Sequence, residues 1–372
     1  MNSLICTECN KNYQLNEPVW RCDCGGLLDI EYSPSFPLEK ISSRKPDMWR
    51  YREAIPIDND KDIVSFGEGY TPLIKIELFG TSVAIKQDYL FPTGSFKDRG
   101  ASVLISKIKE LGIREILDDS SGNAGAAIAA YAARAGIACD IYVPEGTSGA
   151  KVTQIKQYGA RLHIIPGTRE SAANAALDAA QNSYYASHSW NPYFFQGTKT
   201  FAYEVCEQLG WESPDTVVVP VGNGTLLLGA YIGFQDMFNA GIIEKIPKLV
   251  GVQSALCAPL YYAFKNEFTT ETGVTKEQTI AEGIAVAKPV RMKQIIDAVR
   301  ESRGDIIVVK EEEIIEALKE MCRKGFYCEP TSAATIAGLK KYIKKQSSDE
   351  FIVSVITGHG LKASEKIGHI LL

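Results

Sequence analysis

The chain reads as an α/β protein of two domains whose parallel-rich sheets are covered by helices. Three observations predict this. From about residue 65 onward, short apolar stretches alternate with longer helical patterns, and such alternation builds parallel sheets with helical crossovers. Several apolar stretches end in small-residue or glycine-rich turns that open a helix, the place where ligands sit in such sheets. Finally, 372 residues, 45% of them hydrophobic, suffice for two domains of ordinary size.

The chain opens on a different kind of element. Cys6 and Cys9 form CTEC, and Cys22 and Cys24 form CDC, with residues 10–21 between the pairs. Two close pairs of this kind match a zinc ribbon, in which four thiolates close a tetrahedron and leave no open position for catalysis. Residues 1–34 are therefore expected to form a zinc-ribbon-like segment, with Cys6, Cys9, Cys22 and Cys24 as ligands of a structural zinc. Cys139, Cys206, Cys257, Cys322 and Cys328 are scattered singly and read as buried thiols of a reducing compartment. Further on, strands are expected at 82–87, 115–117, 139–143, 161–165, 216–220, 249–253, 305–309 and 351–356. Helices are expected at 126–134, 172–181, 226–238, 310–323 and 332–344.

Bulk properties exclude several partners. Net charge is −5 and the pI is near 5.6, so no general positive field draws nucleic acid or an anionic membrane surface. No apolar run approaches the roughly 20 residues of a membrane span. The start, MNSLICTECNK, lacks a signal-peptide pattern. A cytoplasmic chain acting on a small molecule is expected.

Four turns carry unusual chemistry. In FPTGSFKDRGAS, beginning at Phe91, Lys97 stands where a helix starts. The positive end of a helix disfavours a cation, and a shielded amine loses its proton more easily; neutral lysine is the nucleophile that joins carbonyls. In DDSSGNAGAA, Ser120, Ser121, Gly122, Asn123, Ala124 and Gly125 offer small side chains and backbone N–H groups suited to a carboxylate. In VPVGNGT, Gly222, Asn223, Gly224 and Thr225 let the backbone approach a phosphate. The pattern is not GxGxxG, so a nicotinamide dinucleotide is not favoured. The late strand FIVSVITGHG puts Thr357 at its end. Together the turns ask for a ligand with an aldehyde, a phosphate and a ring, next to a bound carboxylate. Pyridoxal 5′-phosphate with an amino-acid substrate has all of these.

At this point the chain resembles the threonine synthase family within the fold-type II, tryptophan-synthase-like pyridoxal phosphate enzymes. The resemblance rests on GEGYTPL from Gly67, PTGSFKDRGA from Pro92, SSGNAG from Ser120, NPYFFQGTKT from Asn191, PVGNG from Pro220, GVQS from Gly251, EPTSAA from Glu329 and TGHGLK from Thr357. It implies that Lys97 is joined to the cofactor and moves protons. Asn123 would meet the ring oxygen, Gly222, Asn223, Gly224 and Thr225 the cofactor phosphate, and Thr357 the pyridine nitrogen. Ser120 and Ser121, with Ala124, Thr198 and Lys199 close by, would meet the substrate. The implied reaction converts O-phosphohomoserine and water to threonine and phosphate. The resemblance also implies a homodimer and a small mobile domain at 94–191. The large domain would be 35–93 with 192–372, carrying the ribbon, and the cofactor would lie in the cleft.

Three departures keep alternatives open. Threonine-forming relatives usually read SGNT where this chain has Ala124, and usually carry arginine in NPxR where this chain has Phe194. TIAEGIAV from Thr279 resembles serine and threonine dehydratases. Since arginine grips a phosphate through paired charged hydrogen bonds, β-elimination or β-replacement on serine, threonine or O-phosphoserine stands as the competing activity. A non-catalytic α/β binding protein with a zinc ribbon is the reading from another class, and the Lys97 turn argues against it.

Overall fold

The computed structural model describes residues 2–145, 147, 149–265, 278–346 and 349–371. The chain divides into two compact units, Met1–Gly69 with Lys97–Thr198, and Tyr70–Phe96 with Lys199–Leu372.

The first unit is built on a four-stranded parallel sheet in the order Arg161–Ile165, Ala138–Pro144, Glu115–Asp118, Tyr184–Tyr185. Ile116, Leu117, Ile141 and Val143 are buried in it. The helix Asn123–Ala135 is mostly alanine, so its buried residues 124–132 can lie close to their neighbours, and Gly136 ends it in the left-handed conformation (φ 67°) that glycine adopts without cost. Helices Lys97–Glu110 and Pro192–Thr198 also pack together. Two glycines permit the approach: a Cβ on Gly197 would stand 2.0 Å from the Arg99 carbonyl oxygen, and one on Gly100 would stand 2.3 Å from the Phe194 ring.

The N-terminal segment forms a three-stranded antiparallel sheet, ordered Asn12–Tyr13, Ser3–Cys6, Leu28–Glu31. This segment and residues 35–69 both fall in the first unit. Trp20 packs edge-on against Tyr185 (5.0 Å) and Trp190 (5.8 Å), and the Tyr193 hydroxyl donates to the Leu15 carbonyl at 3.1 Å. Residues 35–69 are tied in by the buried Ser102 hydroxyl, which accepts from Trp49 Nε1 at 3.0 Å and donates to the Val64 carbonyl at 2.8 Å.

The second unit carries a six-stranded mixed sheet, Asp305–Val309, Lys248–Ser254, Thr216–Pro220, Ile352–Val355, Thr81–Lys86, Leu73–Leu78. All neighbours are parallel except the last pair. Strands Lys248–Ser254, Thr216–Pro220 and Ile352–Val355 are almost wholly buried, as strands covered on both faces require. Among the helices of this unit, Pro330–Lys345 comes close enough for a Cβ on Gly338 to meet Val252 Cγ2 at 2.4 Å. A fully buried ion pair, Lys86 to Glu204 at 2.8 Å, is completed by Gln208 Oε1 and the Thr71 carbonyl. Such a pair is tolerable only when its remaining donors are satisfied.

Candidate active site

Lys97 is the first residue of its helix. It is half-buried, its amine 5.6 Å from the centroid of the Phe194 ring. Protein packed round the amine pushes its pKa down to about 7; the Asp118 carboxyl works against this and the Arg169 charge works with it. Half of the amines are then neutral near pH 7, against a negligible fraction for an exposed lysine.

The strand Glu115–Asp118 delivers an acidic pair beside the serine turn. Asp118 is fully buried. One of its oxygens accepts the Ser120 N–H at 3.3 Å, and the other, Oδ1, has no partner among the described residues. Burial, then the neighbouring Asp119 charge, raises its pKa to about 8. Asp119 accepts the Tyr185 hydroxyl at 2.9 Å and lies 3.9 Å from the Arg169 guanidinium. Arg169 begins the helix Arg169–Ala179. His188 is buried, and burial holds it well below its usual value, with Lys97 and Arg169 adding to the effect. It is neutral at physiological pH.

The turn itself closes tightly. The Ser120 hydroxyl accepts from the Gly122 N–H at 3.3 Å. A Cβ on Gly125 would stand 1.8 Å from the Ser120 carbonyl oxygen, so only glycine fits there. Asn123 and the buried Ala124 open the following helix. Ser120, Ser121 and Asn123 thus stand at the positive end of a 13-residue helix, a setting for an anion.

The second unit holds the other expected residues. After Thr216–Pro220, Gly224 turns with φ 74°, and a Cβ there would meet Ile295 Cδ1 at 2.4 Å. A Cβ on Gly222 would meet the backbone of Ile284 at 3.0 Å. Thr225 then opens the 15-residue helix Thr225–Asn239. Thr357 is buried just after Ile352–Val355, with its hydroxyl 3.1 Å from that of Ser332, which also accepts from the Thr357 and Gly358 N–H groups. The same loop holds the segment before Lys97. Phe96 N–H donates to the Thr357 carbonyl at 3.0 Å, His359 N–H to Gly94 at 2.9 Å, and Lys362 Nζ to Thr93 at 2.6 Å.

The structure therefore brings Lys97, Ser120, Ser121, Asn123, Ala124 and Thr198 into the first unit, and Gly222, Asn223, Gly224, Thr225, Thr357 and Lys199 into the second. Lys199, expected near the substrate, is buried with its ammonium 2.9 Å from Asp236, whose carboxylate also accepts the Tyr203 hydroxyl. Asp118, Asp119, Arg169 and Ser332 were not singled out from sequence. The DD before SSGN and the TS of EPTSAA are local signals that could have pointed to three of them; Arg169 has none.

The four N-terminal cysteines converge. Their sulfurs lie within 4.8 Å of one another, Cys6 to Cys24 and Cys9 to Cys22 each at 3.5 Å, and all are free thiols.

Comparison with known proteins agrees with this geometry. The family model described as pyridoxal-phosphate dependent enzyme matches residues 64–358. Curated relatives include the threonine synthase of Methanocaldococcus jannaschii, 38% identical over 96% of this chain and 92% of its own. That of Methanosarcina acetivorans is 35% identical over 99% and 94%. The chain belongs to the pyridoxal-phosphate-dependent enzymes and, within them, to the threonine synthase family. Among solved structures, threonine deaminase isoform 2 of Solanum lycopersicum superposes with a TM-score of 0.69 at 21% identity, over 93% of this chain and 97% of that one, a likeness of fold. No helix among the described residues is long and apolar enough to cross a membrane. The residues fit the cofactor of this family: a lysine whose amine is about half neutral near pH 7, and a glycine turn opening the 15-residue helix Thr225–Asn239, whose N-terminus suits a phosphate.

Proposed function

We propose that this enzyme converts O-phosphohomoserine and water to threonine and phosphate, with pyridoxal 5′-phosphate joined to Lys97. The observation that carries the reading is the Lys97 amine, shielded at a helix start and brought to a pKa of about 7. A base poised near the working pH serves best in both directions of proton transfer. Bound there, the cofactor supplies the electron withdrawal that lets the substrate α-proton leave.

The chain's own residues do the rest. Once the substrate amine has replaced it on the cofactor, the freed Lys97 Nζ would take the α-proton and return protons to the neighbouring carbons. Asn123 donates to the ring oxygen. The backbone of Gly222, Asn223 and Gly224, with the Thr225 hydroxyl, holds the cofactor phosphate at a helix N-terminus. Thr357, oriented by Ser332 at 3.1 Å, meets the pyridine nitrogen with a hydroxyl. Ser120 and Ser121 hold the substrate carboxylate, with Ala124 and Thr198 beside it; Lys199, neutralised by Asp236, supports the fold. Cys6, Cys9, Cys22 and Cys24 bind a structural zinc, since four thiolates this close suit a closed tetrahedral site. A cytoplasmic homodimer completes the reading.

One observation favours a second activity. Phe194, which replaces the usual arginine, is fully buried and offers a phosphate nothing. β-Elimination from serine or threonine would not need that cation. Assays on the purified, cofactor-loaded enzyme separate the two. Threonine and phosphate formed from O-phosphohomoserine support the first reading; keto acid from serine or threonine, with no threonine from O-phosphohomoserine, overturns it.

A further inference from the structure

The loss of a cation at position 194 leaves a question that the first unit itself answers. Phe194 cannot be exchanged locally for a charged group: its ring fills the space over Gly100, where a Cβ would come within 2.3 Å, and packs edge-on with His188 at 5.9 Å. In the same unit, but from a different helix, comes Arg169. Its guanidinium is 3.9 Å from Asp119, the residue that precedes the serine turn. That separation is long for an ion pair; Lys199–Asp236 is 2.9 Å and Lys86–Glu204 is 2.8 Å. The Arg169 side chain keeps about a third of its surface exposed (35%), so its five donors are not consumed by Asp119. Its charge lowers the pKa of Lys97, of Asp118 and of His188.

We propose that Arg169 is a specificity-determining residue, supplying to the phosphate of the substrate the charged fork that relatives place at position 194. The inference rests on the reading of the substrate as O-phosphohomoserine. The surroundings suit a dianion better than the sequence suggests. Asp118 is neutral at pH 7, because burial and Asp119 raise it to about 8. The orphaned Asp118 Oδ1 then belongs to a carboxylic acid, which can donate a hydrogen bond and does not repel an anion. His188 is neutral, and Asp119 is already engaged by the Tyr185 hydroxyl at 2.9 Å. An arriving phosphate competes with Asp119 for the guanidinium, and bidentate contact with a dianion wins over one carboxylate at 3.9 Å.

Steady-state kinetics on the cofactor-loaded enzyme test this. Arg169→Gln is expected to raise KM for O-phosphohomoserine about 10- to 100-fold, with kcat changed far less. The inhibition constant of inorganic phosphate should rise in parallel, and Arg169→Lys should recover part of both. KM and phosphate inhibition within about twofold of the parent would overturn the proposal. So would an equal loss of affinity for unphosphorylated threonine, which would assign Arg169 to the substrate carboxylate. Failure of the substrate reading looks different: the parent enzyme itself forms no threonine from O-phosphohomoserine.

Discussion

A lysine becomes reactive when water is kept from it, and Lys97 shows how few residues that takes. Phe194 lies over the amine, neutral His188 packs against Phe194, and the helix that Lys97 opens presents its positive end. The sign of the consequence is fixed. Lowering the pKa to about 7 makes the amine neutral above that pH and protonated below it, so uptake of pyridoxal phosphate by apoprotein should accelerate through about pH 7 and then level off. Stopped-flow absorbance measures it; a rate still rising tenfold per pH unit at pH 9 would mean an ordinary lysine. That Lys97 opens a helix was legible in the sequence because PTGSFKDRGA is contiguous. Arg169 was not: it gains meaning only when the strand ending at Asp118 and the helix beginning at Arg169 are placed in one unit.

Among the elements, the turns are the parts where substitution meets backbone rather than side chain. Gly224→Ala combines a φ of 74° with a Cβ 2.4 Å from Ile295. The side chain of Ile295 can give way, so a loss of about 1–2 kcal/mol is expected, read by thermal denaturation, together with weaker cofactor retention on dialysis. Gly125→Ala is harsher, because its Cβ would meet the Ser120 carbonyl at 1.8 Å and the helix start must move. It should cost more stability than Gly224→Ala and weaken substrate binding with it. Equal melting temperatures for the two variants would contradict this ranking. The buried parallel strands were readable as apolar runs, and 161–165, 216–220 and 305–309 match the expected bounds. Edge strand Leu73–Leu78 was not expected. With Lys75 and Glu77 on it and a partly exposed pattern, it lacks the apolar run by which its neighbours were found. The helix Met292–Glu301 was also passed over, although its buried residues Ile295, Ile296, Ala298 and Val299 follow a helical spacing.

For the whole molecule, long-range packing decides which segments share a unit. Local pattern shows where strands and helices lie; it does not show that Ser102 will bridge Trp49 and Val64, or that Trp20 will pack on Tyr185. Those long-range contacts carry residues 1–69 into the first unit. Because the cysteine-bearing sheet shares that unit's core through Leu4, Trp20 and Leu28, zinc loss should be felt beyond the sheet. About one zinc per chain is expected by elemental analysis, and strong chelation should lower the melting temperature of the whole first unit. A metal-free protein with an unchanged melting curve after zinc addition would remove the structural metal from the account. The shared dependence of the four turns on one cofactor is tested most directly by reducing the loaded enzyme with borohydride and locating the modified residue by peptide mass spectrometry. The pyridoxyl mass on Lys97 is the predicted result. An unmodified Lys97, with the label on another lysine or on none, would contradict it.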